Sequence, residues 1–177
     1  MCTRDPFLNR LATAVALIAA LSNANAEGLG IPASAAEVAA RRLNVFPDGK
    51  GLPDGKGSAL EGKAIYAERC ASCHGATGTG GSAEELAGGR LDGPSPDKTI
   101  GTYWPYATTV FDFVRRSMPL DAPGSLSSDQ LYAVTAYLLN LNGIIDERAE
   151  MNAATLPQVK MPNRGGFIAI DAALTPP

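Results

Sequence analysis

The sequence is poor in the side chains that most often bind metals. It holds one histidine, His74, and three cysteines, which are Cys2, Cys70 and Cys73. A site that needs two histidines of this chain is therefore excluded. A structural zinc ion usually takes four cysteine or histidine ligands, so a zinc site is undersupplied unless a carboxylate joins it.

The chain also lacks a large excess of either charge. It has 15 basic and 18 acidic residues and a formal net charge of −3. Proteins that bind nucleic acid or an anionic membrane surface are usually rich in lysine and arginine. We therefore expect neither of these as a partner.

Long apolar runs are absent beyond the first residues of the chain. Residues 1–26 have the three parts of a secretory signal peptide, namely the basic Arg4 and Arg10, the apolar residues 11–21, and the small-x-small site Ala24-Asn25-Ala26. The apolar run is short for a membrane span, and an uncleaved anchor helix is the alternative. We expect a cleaved signal peptide, a periplasmic protein, and no membrane contact after cleavage.

The motif Cys70-Ala71-Ser72-Cys73-His74 is the feature around which the rest is arranged. Cys-x-x-Cys-His is the attachment signature of a c-type haem. Residues three and four apart share a face of a helical turn, so two thiols can bond one porphyrin while His74 binds its iron. A redox disulfide and a metal site are the alternatives. We predict one covalently bound haem c.

The second axial ligand of the iron must come from another kind of side chain, because the chain has a single histidine. Three methionines follow the motif: Met118, Met151 and Met161. Met118 precedes a proline that ends a predicted helix, which leaves it at the edge of a loop. We predict Met118 as the ligand, with Met161, Met151 or an open position as alternatives and core filling as another role for Met118. Histidine and methionine together suit electron transfer and raise the reduction potential.

Helical patterns around the motif predict an all-α domain. Residues 58–73 and 108–117 have the composition of helices. Residues 126–141 are the clearest helix, with Ser127 as its N-cap and Gln130 at the third helical position.

These patterns divide the chain into four segments. They are a signal peptide at 1–26, an N-terminal extension at 27–57, a haem domain at 58–143 and an extended C-terminal tail at 144–177. In the extension, Ser34 and Glu37 have the spacing of a capping box before a short helix. The tail is rich in proline, asparagine and glycine, and either wraps its own domain or lies along a partner.

Two loop regions complete the predicted surround of the haem. The glycine-rich residues 75–93 are expected to wrap one haem edge, and a backbone carbonyl there should orient the second ring nitrogen of His74. Tyr103, Trp104 and Tyr106 are core residues by default, but their polar atoms can also bond a haem propionate. We predict Trp104 and Tyr106 as cofactor-binding residues.

The order of haem motif, glycine-rich loop, Met-Pro step and final helix resembles that of class I cytochromes c. Three further stretches match one subfamily: Gly101-Thr102-Tyr103-Trp104-Pro105-Tyr106-Ala107-Thr108, Arg116-Ser117-Met118-Pro119 and Met161-Pro162-Asn163-Arg164-Gly165-Gly166-Phe167. The first and the last of them make the resemblance specific. Over about residues 28–167 the chain resembles the SoxD-like cytochrome c subunits of sulfite or sulfane dehydrogenases. Some of those relatives carry two haem domains, whereas this chain has one haem motif.

The resemblance implies a class I cytochrome c fold and a set of roles. Cys70 and Cys73 would anchor the haem, and His74 and Met118 would be its axial ligands. The chain would be a non-catalytic subunit that takes electrons from a molybdenum-cofactor subunit and passes them to another cytochrome c. The alternatives are a freely diffusing cytochrome c, a cytochrome subunit of another periplasmic dehydrogenase, and a haem enzyme or sensor with an open iron position.

Overall fold

The computed structural model describes residues 30–90 and 97–167. The chain divides into two compact units, Met1–Arg41 and Arg42–Pro177. The predicted signal peptide lies outside the described residues. In the first unit, helix α1 (Ala35–Ala40) begins after Ser34, whose backbone N–H donates to Glu37 Oε2 at 2.8 Å. The short helix predicted from the capping-box spacing is therefore present.

The second unit is built on helices, as predicted. Its elements are β1 (Lys56–Gly57), α2 (Ala59–Arg69), α3 (Ala71–His74), α4 (Ala107–Ser117), α5 (Ser128–Leu141), β2 (Met151–Asn152) and a 3-10 turn (Leu156–Gln158). The two short strands pair antiparallel, with Lys56 opposite Asn152 and Gly57 opposite Met151. This pairing joins the segment before the first long helix to the C-terminal tail. Within the described residues, no helix is long and apolar enough to cross a membrane.

Two of the three long helices that the structure describes, α2 and α5, begin at capping boxes. Ser58 and Glu61 form one at α2, and Ser127 and Gln130 form the other at α5. Each box satisfies backbone N–H groups that the first helical turn leaves without partners. Because these signals are local, the sequence pattern locates the N-cap of α5 correctly at Ser127.

The single helix predicted over 58–73 is wrong, because the structure breaks it at Cys70. There φ is −126° and ψ is −36°, which lies outside the α-helical region. Helix α3 restarts at once, since Cys70 O accepts the backbone N–H groups of Cys73 at 3.2 Å and His74 at 3.0 Å. The haem motif therefore lies on its own helical turn, joined to α2 by one non-helical residue.

Helices α2 and α5 cross in close contact at Gly62. A Cβ built on Gly62 would collide with the carbonyl oxygen of Ala133 and lie 2.9 Å from Tyr137 Cβ. One turn further along α2, the rings of Tyr66 and Tyr137 pack with their centroids 5.1 Å apart. Gly62 and the Tyr66–Tyr137 ring pair therefore bring α2 and α5 into close contact.

The core lies between α2, α4, α5 and the tail. Its fully buried members include Phe111, Tyr132, Leu139 and Leu156. The rings of Phe111 and Tyr132 are 4.7 Å apart. The described part of the tail, up to residue 167, packs on its own unit.

Side chains of α4 form hydrogen bonds with the backbone of the segment before β1. Asp112 Oδ1 accepts the backbone N–H of Val45 at 2.8 Å. Arg115 donates to Leu43 O at 3.4 Å and to Gly51 O at 3.3 Å. These bonds use backbone groups that lie outside any helix or strand, so they fix the path of residues 43–51.

Candidate functional site

The two cysteines of the motif lie at the start and middle of the short helical turn that includes α3. Both are free thiols, and Cys70 is half-buried whereas Cys73 is exposed. Burial raises the pKa of Cys70 to about 11, and the nearby Arg69 opposes that rise. The Cys70 thiol is therefore protonated at neutral pH in the unmodified chain.

His74 ends α3 with one ring nitrogen already engaged. Its Nδ1 lies 2.8 Å from the carbonyl oxygen of Glu84. A carbonyl oxygen can only accept, so Nδ1 carries the proton and Nε2 keeps a free lone pair. A histidine that binds a metal through one nitrogen commonly donates from the other in this way. This contact fixes the His74 ring and leaves Nε2 free to bind a metal.

Glu84 is the functional residue that the sequence could not identify. Its backbone reaches His74 because the glycine-rich loop folds back on the motif. Ala83 N donates to Cys73 O at 2.9 Å, and a Cβ built on Gly81 would lie only 2.6 Å from the backbone nitrogen of Gly75. Any residue type offers a carbonyl, so no side-chain signal marks position 84.

Tyr66 supports the same loop from inside the domain. Its hydroxyl donates to Gly75 O at 2.8 Å. Burial, with smaller contributions from Cys70 and Tyr137, raises the pKa of Tyr66 to about 12. The hydroxyl is therefore neutral and able to donate at any physiological pH. This bond holds the residue that directly follows His74.

The three candidate methionines occupy different environments. Met118 caps the C-terminus of α4, its backbone N–H bonded to Val114 O at 3.1 Å, and its side chain is half-buried at the edge of the core. Met151 and Met161 are 5% and 3% exposed and belong to the core cluster. Of the three, Met118 is the one with a partly free side chain.

The aromatic candidates belong to a segment that the tail covers. Trp104 is half-buried and meets Phe113 edge-on, with centroids 5.6 Å apart. Tyr106 is half-buried, and the guanidinium of Arg164 lies 4.6 Å from the centre of its ring. Tyr103 is exposed and packs against Phe167 at 5.1 Å. The structure therefore places all three beside residues of the haem-domain surface or the tail.

The donor set fits a c-type haem. Two free thiols and one imidazole with a free nitrogen share a single helical turn, and a thioether lies at the edge of the core at the end of another helix. Several half-buried apolar residues pack at the edge of the same core, among them Ile65, Leu86, Trp104 and Leu126. In residues 30–90 and 97–167, no three His, Cys, Asp or Glu side chains gather as a metal cluster.

Comparison with known proteins agrees with these features. The family model for cytochrome c matches residues 59–142. The chain is 43% identical to a chain in the crystal structure of the sulfane dehydrogenase SoxCD from Paracoccus pantotrophus. That likeness has a TM-score of 0.75 and covers 84% of this chain and 74% of the other.

Two curated relatives are both named thiosulfate dehydrogenase. The protein of Stutzerimonas stutzeri is 38% identical over 89 residues, and that of Allochromatium vinosum is 36% identical over 92 residues. Each match takes in 49% of this chain, but it covers only 28% and 31% of the relatives. The chain thus spans less than a third of the length of the curated relatives it matches.

Proposed function

Because the chain belongs to the cytochrome c family, we propose that it is the electron-transfer subunit of a dehydrogenase that oxidises a sulfur compound. It receives electrons from a molybdenum-cofactor subunit and passes them to another cytochrome c in the periplasm. The predicted class I cytochrome c fold, the covalent haem c and the resemblance to SoxD-like cytochromes are confirmed by the family match and by the SoxCD chain.

We assign the haem attachment to Cys70 and Cys73 and the axial positions to His74 and Met118. The haem, once bound, supplies an iron that gains and loses one electron. The chain's own residues hold it in place, since the Glu84 carbonyl orients His74 and the Tyr66 hydroxyl fixes Gly75 beside it. Met118, if it binds the iron, would occupy the position that a substrate would need. The role of the chain is then to carry electrons rather than to catalyse.

The likeness to the SoxCD chain is the observation that carries this proposal. It covers 84% of the chain, so it extends well beyond the family match at residues 59–142. It includes segments outside the haem domain, where an unrelated shuttle cytochrome has no reason to be similar. That crystal structure is of a sulfane dehydrogenase, and we transfer to this chain a place in a dehydrogenase of the same kind. The molybdenum-cofactor partner follows from the resemblance of the sequence to SoxD-like subunits.

A second candidate follows from the curated relatives, both of which are named thiosulfate dehydrogenase. On this alternative, the haem domain belongs to a haem protein that oxidises thiosulfate itself and needs no molybdenum subunit. A freely diffusing cytochrome c that serves another periplasmic dehydrogenase is a further alternative. These candidates differ from the first in what reduces the haem.

The test is to purify the haem-loaded chain through an affinity tag from its own host and to measure molybdenum in the eluate. Haem reduction is then followed optically after addition of sulfite or thiosulfate, with and without the co-purified protein. We expect reduction only when a molybdenum protein is present. A Cys70→Ala, Cys73→Ala variant, which cannot attach haem, controls for adventitious reduction.

Reduction of the purified chain by thiosulfate in the absence of any other protein would contradict the proposal and favour the second candidate. Full electron delivery from an enzyme without molybdenum would favour a free cytochrome c.

A further inference from the structure

The loop that follows Met118 is weakly attached to the rest of the domain. Residues 119–126 connect α4 to α5, and their backbone bonds are internal, from Ala122 N to Pro119 O at 3.0 Å and from Ser125 N to Ala122 O at 3.3 Å. Most of its side chains are exposed, with Leu120 at 80%, whereas Pro119 is buried and Leu126 packs at the edge of the core. Few buried side chains and exposed backbone are the features of a segment that opens locally at small cost in free energy.

One side chain from the haem-attachment region reaches this loop. Arg69 is the last residue of α2 and directly precedes Cys70, and its Nη2 donates to Ser125 Oγ at 3.0 Å. Within the part of the chain that the structure describes, this is the hydrogen bond that joins residues 119–126 to another element. It therefore links the segment that carries the predicted haem thiols to the loop that follows the predicted axial methionine.

We propose that Arg69 is a positioning residue for Met118. By holding Ser125, Arg69 keeps the loop 119–126 closed against the haem-attachment segment and keeps the Met118 sulfur at the iron. This inference rests on the proposed function, because it takes Met118 as the axial ligand. A hydrogen bond from the backbone N–H of Met118 to α4 holds the residue on its N-terminal side. The path of the backbone after Met118 depends on where the loop lies.

The chemistry at Arg69 suits this role. A cation in the last turn of a helix interacts favourably with the helix dipole, and a guanidinium offers several donors in a fixed plane. Both Arg69 and Ser125 are exposed, so the bond is screened by solvent. An exposed charge-assisted hydrogen bond of this kind changes the equilibrium between the closed and the open loop by about two- to fivefold. Arg69 therefore tunes how often the loop opens and does not determine whether the domain folds.

The experiment measures carbon monoxide binding to the ferrous, haem-loaded chain. Carbon monoxide needs the iron position that Met118 holds, so its binding rate reports how often the sulfur leaves. We expect Arg69→Met and Ser125→Ala each to raise that rate by about two- to fivefold. The double variant should match either single variant, because both changes remove the same bond. Hydrogen exchange of the amides in residues 119–126 should accelerate in parallel.

Three further variants keep the result interpretable. Lys63→Met removes another exposed cation from α2 and should leave the rate unchanged. Arg69→Lys keeps a donor but loses reach and planarity, so it should restore part of the wild-type rate. Met118→Ala gives the rate expected for an open position.

The outcomes separate this inference from the proposed function. If wild type resists carbon monoxide and Met118→Ala binds it quickly, while Arg69→Met behaves like wild type, the role of Arg69 is overturned and the ligand assignment stands. If Met118→Ala behaves like wild type, both are overturned. Additive effects of Arg69→Met and Ser125→Ala would show that they do not act through one bond and would also overturn the inference.

Discussion

At the scale of single residues, burial separates side chains that the sequence presents as equivalent. Met118 and Met161 are both followed by proline. In the structure Met161 is 3% exposed and fills the core, whereas Met118 is half-buried at the end of α4. A buried thioether in a packed core contributes through dispersion and burial, while one at the edge of the core can turn towards a ligand. The same chemical group is thus expected to have two different roles.

The contrast gives a test of the ligand assignment. Met118→Ala should abolish the sulfur-to-iron charge-transfer absorbance and lower the reduction potential, because the axial thioether is lost. Met161→Ala should leave that absorbance in place and reduce the free energy of unfolding by about 2–5 kcal/mol. Optical spectra and chemical denaturation of the two variants measure both effects. Loss of the absorbance in Met161→Ala would show that the assignment is wrong.

At the scale of helices, local capping signals account for the starts of α2 and α5, whereas the place where these helices cross depends on tertiary contacts. Capping boxes at Ser58 and Ser127 mark helix starts because they use residues three positions apart. The end of α2 at Arg69 has no such signal, because nothing in the residues around Cys70 opposes a continued helix. The break depends on where the glycine-rich loop and α3 pack, and these contacts are set by tertiary structure.

The crossing of α2 and α5 is a tightly constrained contact between helices. Gly62→Ala should reduce the free energy of unfolding by about 2 kcal/mol, because the collision with Ala133 and Tyr137 outweighs the better helix propensity of alanine. Gly165→Ala is the matched control, since a Cβ there meets no atom within 4 Å, and its stability should change little. Thermal unfolding of both haem-loaded variants makes the comparison. Equal stability of the two variants would mean that the helices can move apart without cost.

At the scale of the whole molecule, the tail belongs to the haem-binding unit. Strand β2 pairs with β1, and Leu156, Val159 and Met161 are buried at 0%, 9% and 3% exposure. Further on, Asn163 Nδ2 donates to Tyr103 O at 2.7 Å, and Arg164 lies over Tyr106. The tail therefore closes the core and also supports the aromatic segment that the sequence identified.

Truncation tests that role. A chain that ends at Thr155 loses three buried apolar side chains, and removing one such side chain commonly costs about 2–5 kcal/mol, so its melting temperature should fall by at least about 10 °C. A chain that ends at Phe167 keeps every described contact of the tail and is the control. Calorimetry of the two haem-loaded chains makes the measurement. Equal melting temperatures would indicate that the tail serves a partner and not its own domain.

The sequence by itself determined the chemistry of this protein and its local structure. Covalent attachment, ligand identity and helix starts depend on near neighbours in the chain. A few residues are therefore enough to recognise the Cys-x-x-Cys-His motif with its single histidine and the two capping boxes. Only the tertiary structure decided which carbonyl orients His74, which methionines are buried, and that the tail covers its own domain. These features depend on contacts between residues that are apart in the chain, such as Glu84 with His74 and Arg69 with Ser125. Every residue has a backbone carbonyl, and packing depends on the whole fold, so neither can be identified from residue types alone.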